Sequence, residues 1–469
     1  MARPRIGVAA LARATFDVPF AEETAARAFA LLDRLDVEIV GSRELLFDAE
    51  ATQAAIDQFK EEALDVILVL QVTFTDASMT VALANSLDVP VVLWAFPEAR
   101  NGGRLRLNSF CGINLAGHAM SKASVSYGYV YLDPDDNEAE ATFANIAVTG
   151  TSTPTEDPAD SDIEITAIDD RKAIKAFDRL AEGRIAVIGE HPVGFDTCAY
   201  DPRRLQTLTG TEIDAVPLNS LFESAKAVTN EELAPVEARV EGELSGLDDV
   251  EAEPLDKSLR IYTALRKFAD ESRYDAIAVR CWPEFFTDYG CAACGAMAMM
   301  GQDGTPCACE ADAYGSVTNL MMTALVDEPV FIADLVDISL ADNTGVFWHC
   351  GLAPISMADP DDTPTATVHS NRRKPLLGEF ALKPGRVTIA RLSQSSGRTR
   401  MVIGGAEMIA APKSYSGTSG VARFDSGAQT VLDTVMGEGL EHHYTLAYGD
   451  HRGALAAFAS RLSLSVVTL

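Results

Sequence analysis

The first third of the chain alternates continuous apolar runs with amphipathic stretches. Arg5 to Ala10, Val37 to Val40, Val66 to Leu70, Val89 to Trp94 and Tyr127 to Leu132 read as strands. Ala21 to Leu35, Glu50 to Ala63, Ala77 to Leu87 and Ile113 to Ala123 read as helices. Strands apolar at consecutive positions are buried on both faces, and their alternation with helices predicts a parallel sheet covered on both sides. Between Gly150 and about Asp170 the composition turns to Thr, Ser, Pro, Asp and Glu, as in a connection between domains. A second alternation follows, with strands at Ile185 to Gly189, Glu212 to Pro217 and Tyr274 to Val279 and helices at Pro202 to Thr209 and Leu255 to Ser272. The acidic stretch Thr229 to Glu253 reads as a solvated helix or loop. After about Val326 short β-like runs take over, including Gly345 to Trp348 and a hairpin of Arg386 to Leu392 with Arg400 to Ile403, before a helix near Ala454 to Ser460. The expected fold class is α/β: two doubly wound parallel-sheet domains, 1–170 and 171–326, followed by a β-rich C-terminal domain, 327–469. A length of 469 residues fits about three domains at roughly 150 residues each.

Charge narrows the partners. A net charge of -31, with acidic residues spread along the whole chain, repels nucleic acid and anionic membranes. No apolar run reaches the roughly 18 residues of a membrane span. The N-terminal segment enters a strand-like run without a long apolar stretch, so a cytoplasmic location is expected. In that compartment the eight cysteines stay mostly reduced, and Cys111, Cys198 and Cys350 are expected to fill space. No G-x-x-x-x-G-K-[ST] loop, no convincing G-x-G-x-x-G and no G-x-S-x-G elbow is present, which disfavours nucleotide chemistry and a serine hydrolase.

Three segments carry the candidate chemistry. Glu310 lies in Cys307-Ala-Cys309-Glu310-Ala-Asp312, just before the expected helix Ala313 to Leu325, where ligands of open α/β sheets bind. Asp334 follows the strand-like run Pro329 to Ile332, where a carboxylate is costly to bury without a partner. The late segment Glu441-His442-His443-Tyr444 adds an imidazole. Two carboxylates and one imidazole suit Mn²⁺ or Mg²⁺, leaving positions open for a substrate with neighbouring oxygens. Read singly, each residue also has a plain structural role: a helix-start acid, a surface acid, a core histidine. His349 and His451 are further candidates. A rival metal site is the set Cys291, Cys294, Cys307 and Cys309, although Cys307-Ala-Cys309 has one intervening residue where zinc pairs normally have two to four.

At these residues the chain resembles the L-fucose isomerase and L-arabinose isomerase superfamily, most closely over Tyr274 to Gly351 and Glu441 to Val466. Cys309-Glu310-Ala311-Asp312 resembles the Thr-Glu-Asn-Asp-like segment that carries a metal-binding glutamate in fucose isomerases. Phe331-Ile332-Ala333-Asp334-Leu335 resembles their Phe-Ala-Asp-Val-like strand, and His443 followed by Tyr448-Gly449-Asp450-His451-Arg452-Gly453-Ala454-Leu455 resembles their late histidine segment. The chain departs from the pattern in being shorter and in inserting Asp450 between the glycine and histidine.

The resemblance implies an aldose-ketose isomerase using Mn²⁺, with Mg²⁺ or another divalent cation as the alternative. Glu310, Asp334 and His443 would be its ligands, with His349 as a further candidate, and Glu310 and Asp334 would also serve as the base and acid pair. Trp282, Glu284 and Asp288 fall in a region that lines the sugar site of the family. The substrate class is a pentose, a deoxyhexose or a modified hexose such as a sulfonated sugar, with Arg104, Arg106, Arg372 and Arg373 as candidates to meet an anionic substituent. A closed homo-oligomer, trimer or hexamer, is implied as well. The competing class is a sugar-binding or regulatory protein without catalysis, since paired α/β domains also build such proteins.

Overall fold

The computed structural model of the protein describes residues 3–152 and 163–469, in which the chain forms two parallel α/β sheets followed by a β-rich C-terminal region. In the first sheet Glu38–Val40, Arg5–Leu11, Val66–Gln71, Val91–Ala95 and Gly128–Tyr131 run side by side, all parallel. Alternate residues explain the continuous apolar pattern. Ile67 and Val69 pack with Phe59, Leu83 and Phe110 on one face, while Val66, Leu68 and Leu70 pack with Phe29 and Phe143 on the other. The direction of winding reverses beside Arg5–Leu11, so the loops leaving Arg5–Leu11 and Val66–Gln71 diverge and open a crevice. Arg13 and Phe74 lie just beyond those two strand ends and line the cavity described below.

The second sheet orders Cys307–Ala308, Ala276–Val279, Arg184–Ile188 and Glu212–Val216, again all parallel. Helix ends agree with local chemistry: Pro202–Thr209 starts on the Asp201 cap with proline in its first turn and stops at Gly210 in the left-handed region. Trp282 and Glu310 emerge just past the C-terminal ends of Ala276–Val279 and Cys307–Ala308.

The C-terminal region goes beyond the expected hairpin. Thr344–His349, Phe331–Ser339, His443–Tyr448, Gly385–Ser393, Arg400–Ile409 and Thr418–Phe424 pair antiparallel in succession, and Thr418–Phe424 pairs back with Thr344–His349. Six strands thus close into a barrel and leave no free edge among themselves. Asp334 stands opposite Trp348 on one neighbour and His443 on the other, so Asp334 and His443 share a face.

Residues 153–162 of the expected connection lie outside the described residues. Its end is ordered: a capping box between Thr166 and Asp169 opens the helix Ala167–Ala181, which the composition had hidden. The acidic stretch forms the helix Asn230–Glu243, of which only Leu233 and Val240 are buried. Among the described residues no helix is long and apolar enough to cross a membrane.

Candidate active site

Glu310 and Ala311 both take left-handed backbone angles, φ 57° and 53°, a conformation that costs non-glycine residues about 1–3 kcal/mol each. Bonds from Ala311 N–H to Val279 O and from Asp312 N–H to Cys309 O, each 3.0 Å, hold the turn. Asp312 then caps the helix Ala313–Val326 by accepting the Gly315 N–H at 2.8 Å. Cys309, Glu310 and Asp312 thereby reach one buried centre with His443.

The centre is organised by the tautomer of His443. Its Nδ1 lies 2.9 Å from Asp312 Oδ2. Burial opposes ionisation of Asp312, but the Arg391 guanidinium at 2.5 Å and His443 hold its carboxyl well below the usual range. An ionised Asp312 can only accept, so the histidine hydrogen sits on Nδ1 and the Nε2 lone pair is bare. That lone pair faces Asp334 Oδ1 at 3.3 Å, Glu310 Oε2 at 3.8 Å and Cys309 Sγ at 3.3 Å. Asp334 Oδ1 is buried and accepts no hydrogen bond. Asp334 Oδ1 is thus a buried acceptor left unmet beside His443 Nε2 and the Cys309 thiol, and because buried polar groups are normally satisfied, a cation between them would meet the need. The donor set therefore fits a divalent ion.

Glu310 is further pinned by the Trp282 Nε1–H at 3.1 Å on Oε1 and by His442 Nε2 at 3.1 Å on Oε2. Burial would raise this carboxyl, yet the His442 bond, the charge of both histidines and Trp282 bring it down to about 2. Burial works against charging His442, but Glu310 prevails and raises it. His443 is lowered by burial and by the neighbouring His442 charge. His349 reaches the same centre with the opposite polarity. Its Nδ1 accepts the Cys350 N–H at 2.9 Å, so the hydrogen is on Nε2, 2.8 Å from Cys309 Sγ. In this arrangement it donates a hydrogen where a metal needs a lone pair.

Among the described residues the sets whose donor atoms all lie within 4.8 Å of one another are Cys198, Glu310, His442 and His443, and Cys309, His349 and His443. Asp334 belongs to neither set, although its Oδ1 lies 3.3 Å from His443 Nε2. The four-thiol alternative is not among them: Cys294 Sγ contacts Cys350 Sγ at 3.2 Å, and Cys309 faces histidines. Cys350 lines the cavity and Cys198 touches Glu310 at 3.8 Å, so neither merely fills space. His451 accompanies the carbonyl of Tyr448 at 2.9 Å and does not line the cavity.

A cavity runs from Glu310, Asp334 and His442 past Trp282, Phe74 and Phe286 to Arg13, Asn371 and Arg372. Asn108 Oδ1 and His442 Nδ1, on residues that line it, are also buried without partners. Of the other residues expected to line it, Glu284 binds Arg280 at 2.8 and 2.9 Å and Asp288 accepts from Thr287 at 2.7 Å, and neither is in the lining. The tight turn Phe285–Tyr289 after Pro283 directs Phe286 inward and leaves those two acids outside.

The far end is basic. Arg372 stacks over Trp282 and Phe286 at 5.0 and 5.3 Å and makes no ion pair among the described residues. Arg104 bonds Asn371 Oδ1 and the Thr15 carbonyl, whereas Arg106 is paired with Asp17 and Arg373 is exposed. Arg13 is paired with Asp76 and also lies over the Trp282 ring, at 5.3 Å. The sequence did not single out Asp312, Arg391 or Arg13, and it offered Cys309 only as a member of the four-thiol alternative. Only Asp312 had a local signal, its place before a helix.

His369 shapes the turn carrying Arg372 by accepting the N–H groups of Asn371 and Arg372 at 3.2 and 3.3 Å. Burial and the Arg372 charge pull its pKa from 6.5 down to about 3. A base with a depressed folded value stabilises the fold fully above its unfolded pKa. That contribution is lost as pH falls from 6.5 towards 3, because the unfolded chain then binds the extra proton. Thermal melting measured across that range is expected to fall less steeply in His369→Asn, which keeps an acceptor but does not titrate. Parallel curves would count against the assignment.

Two family descriptions match the chain: fucose/sulfoquinovose isomerase, N-terminal domain, over residues 7–148, and L-fucose isomerase, C-terminal domain, over 379–469. The first covers a stretch whose local pattern carries little beyond an alternation of elements. The chain is 28% identical over 455 residues to a sulfoquinovose isomerase of Priestia aryabhattai, spanning 97% of this chain and 96% of that one. It is 29% identical over 455 residues to a sulfoquinovose isomerase of Clostridium sp. (strain MSTE9), spanning 96% of each. To a sulfoquinovose isomerase of Alkalicoccus urumqiensis it is 27% identical over 406 residues, 86% of each. A glucose-galactose binding protein from Geobacillus stearothermophilus aligns with 70% of this chain and 93% of its own at 13% identity and a TM-score of 0.21, too slight a likeness to carry an argument.

Proposed function

We propose that this chain, an aldose-ketose isomerase like the fucose isomerase domains and sulfoquinovose isomerases it matches, works with a divalent metal on a hexose carrying a sulfonate at the end remote from its carbonyl. The observation that carries this reading is a single cavity with unmet acceptors at one end and an unpaired guanidinium at the other, spanned by Trp282. Arg372 lines the cavity over Trp282 and Phe286 with no ion pair among the described residues, which leaves its charge available to a substrate anion. The sulfoquinovose isomerase relatives are consistent with a sulfonate as that anion.

Glu310, Asp334 and His443 would hold the ion, and Mn²⁺ suits two carboxylates and one imidazole. When bound, it supplies Lewis-acid stabilisation of negative charge on the two substrate oxygens. The chain's own residues do the rest. Isomerisation moves one hydrogen from C2 to C1 and one from O2 to O1, through an enediol. A carboxyl brought down to about 2 leaves Glu310 ionised and able to accept the carbon-bound proton, with Asp334 as its partner across the site. His442, raised by Glu310 and in contact with it, is placed to exchange the oxygen-bound proton. Trp282 fixes Glu310 through its N–H and offers its ring to the sugar. Asp312 and Arg391 keep His443 in one tautomer.

The test is solvent-deuterium incorporation at C1 or C2 of a 6-sulfo-aldohexose, followed by NMR with Mn²⁺-loaded and chelated protein. Metal-dependent exchange is expected, and binding without exchange would overturn the reading. Arg372→Ala is expected to raise KM for the sulfonated sugar by about tenfold to a hundredfold, the worth of hydrogen bonds to a charged group, with little change in kcat. Unchanged KM would remove Arg372 from recognition. A cytoplasmic trimer or hexamer belongs to the same reading, and light scattering of the purified protein checks the assembly.

A further inference from the structure

Cys309 is not needed by an oxygen-ligated ion, yet its sulfur lies against the bare nitrogen of His443. We infer that this thiol gives the centre a second coordination mode, in which a soft divalent ion such as Zn²⁺ or Cd²⁺ binds Cys309 Sγ and His443 Nε2 and excludes the hard ion. The inference rests on the proposed function only in taking His443 Nε2 as a metal ligand, and it is independent of the sugar.

The geometry suits a thiolate site. With Zn–S about 2.3 Å and Zn–N about 2.0–2.1 Å, two tetrahedral ligands sit about 3.5 Å apart. Cys309 Sγ and His443 Nε2 are 3.3 Å apart. Asp334 Oδ1, buried and without a hydrogen bond, lies 3.3 Å from the same nitrogen, although it is not among the donor atoms clustered with Cys309 Sγ. His349 does not need to ligate: its Nε2–H, 2.8 Å from the sulfur, donates to the thiolate and stabilises it. The chemistry balances simply. The sulfur–hydrogen bond breaks, a sulfur–metal bond forms, the proton leaves to solvent and nothing is oxidised. Ions that favour sulfur select this mode, and ions that favour oxygen select the carboxylates. Because His443 Nε2 has one lone pair, the two modes compete.

Cobalt reports the difference, since thiolate ligation gives a near-ultraviolet charge-transfer band that carboxylate and imidazole ligation do not. Chelator-treated full-length protein titrated with Co²⁺ is expected to show the band. Asp334→Asn is expected to keep it while losing Mn²⁺ affinity, followed by the spin-resonance signal of free Mn²⁺. Cys309→Ser is expected to lose it, and Zn²⁺ affinity should fall roughly a hundredfold. Cys309→Ala is the second variant, and melting curves of both show whether the fold is intact. No band in the unaltered protein, or a band that survives in folded Cys309→Ser, overturns the soft mode. Mn²⁺ binding without a band refutes this mode alone, whereas a band without Mn²⁺ binding refutes the carboxylate site alone.

Discussion

Glu310→Gln is expected to lower kcat by about a thousandfold, within the 10²–10⁴ range of a positioned proton-transfer group. Glutamine is nearly isosteric and its carbonyl can still accept the Trp282 N–H, so the turn at 310–311 should persist. What disappears is the negative charge. With it go the proton acceptor, one oxygen ligand and the partner that raises His442. Metal affinity should fall alongside kcat, which isothermal titration with Mn²⁺ measures separately from turnover. Full turnover in the Mn²⁺-loaded variant would remove Glu310 from the chemistry.

Arg391→Met is expected to destabilise the fold by about 3–5 kcal/mol, because it leaves a fully buried carboxylate without its counter-ion. Asp312 and Arg391 are 0% and 1% exposed, joined at 2.5 and 3.1 Å, and no water-facing route relaxes them. Removing both charges tests whether the pair serves stability or tautomer control. The double variant Asp312→Asn with Arg391→Met should recover much of the lost stability in chemical denaturation. It should not recover activity or Mn²⁺ affinity, since an asparagine amide no longer demands a donor from His443 Nδ1. Equal activity in the double variant and the unaltered protein would reduce the pair to a structural one.

The elements of both α/β sheets were legible because their signals are local. Val66–Gln71 is buried at every position, and the sequence says so by being apolar at nearly every position. Pro202–Thr209 was readable from its cap, its proline and its glycine. Ala167–Ala181 was not, since a polar, acidic surface made its first turn look like a connection. The closed barrel was illegible for another reason: Arg400–Ile409 pairs with Thr418–Phe424, and Asp334 with His443, through register that no local periodicity encodes. The site divides in the same way. Glu310, Asp334 and the late histidines stood out by residue type and resemblance. Asp312 and Arg391, 79 residues apart in sequence, and Asp312 and His443, 131 apart, meet only in the folded chain.

Asp334 and His443 face each other across one ladder of a closed barrel, whereas Glu310 arrives from the end of a separate parallel sheet. Two donors are therefore set by a scaffold whose strands cannot slip, and the third by a short turn that can be re-aimed without disturbing it. Ion size preference in this lineage can thus drift by substitutions around residues 309–311 alone, while the barrel half of the site is inherited unchanged.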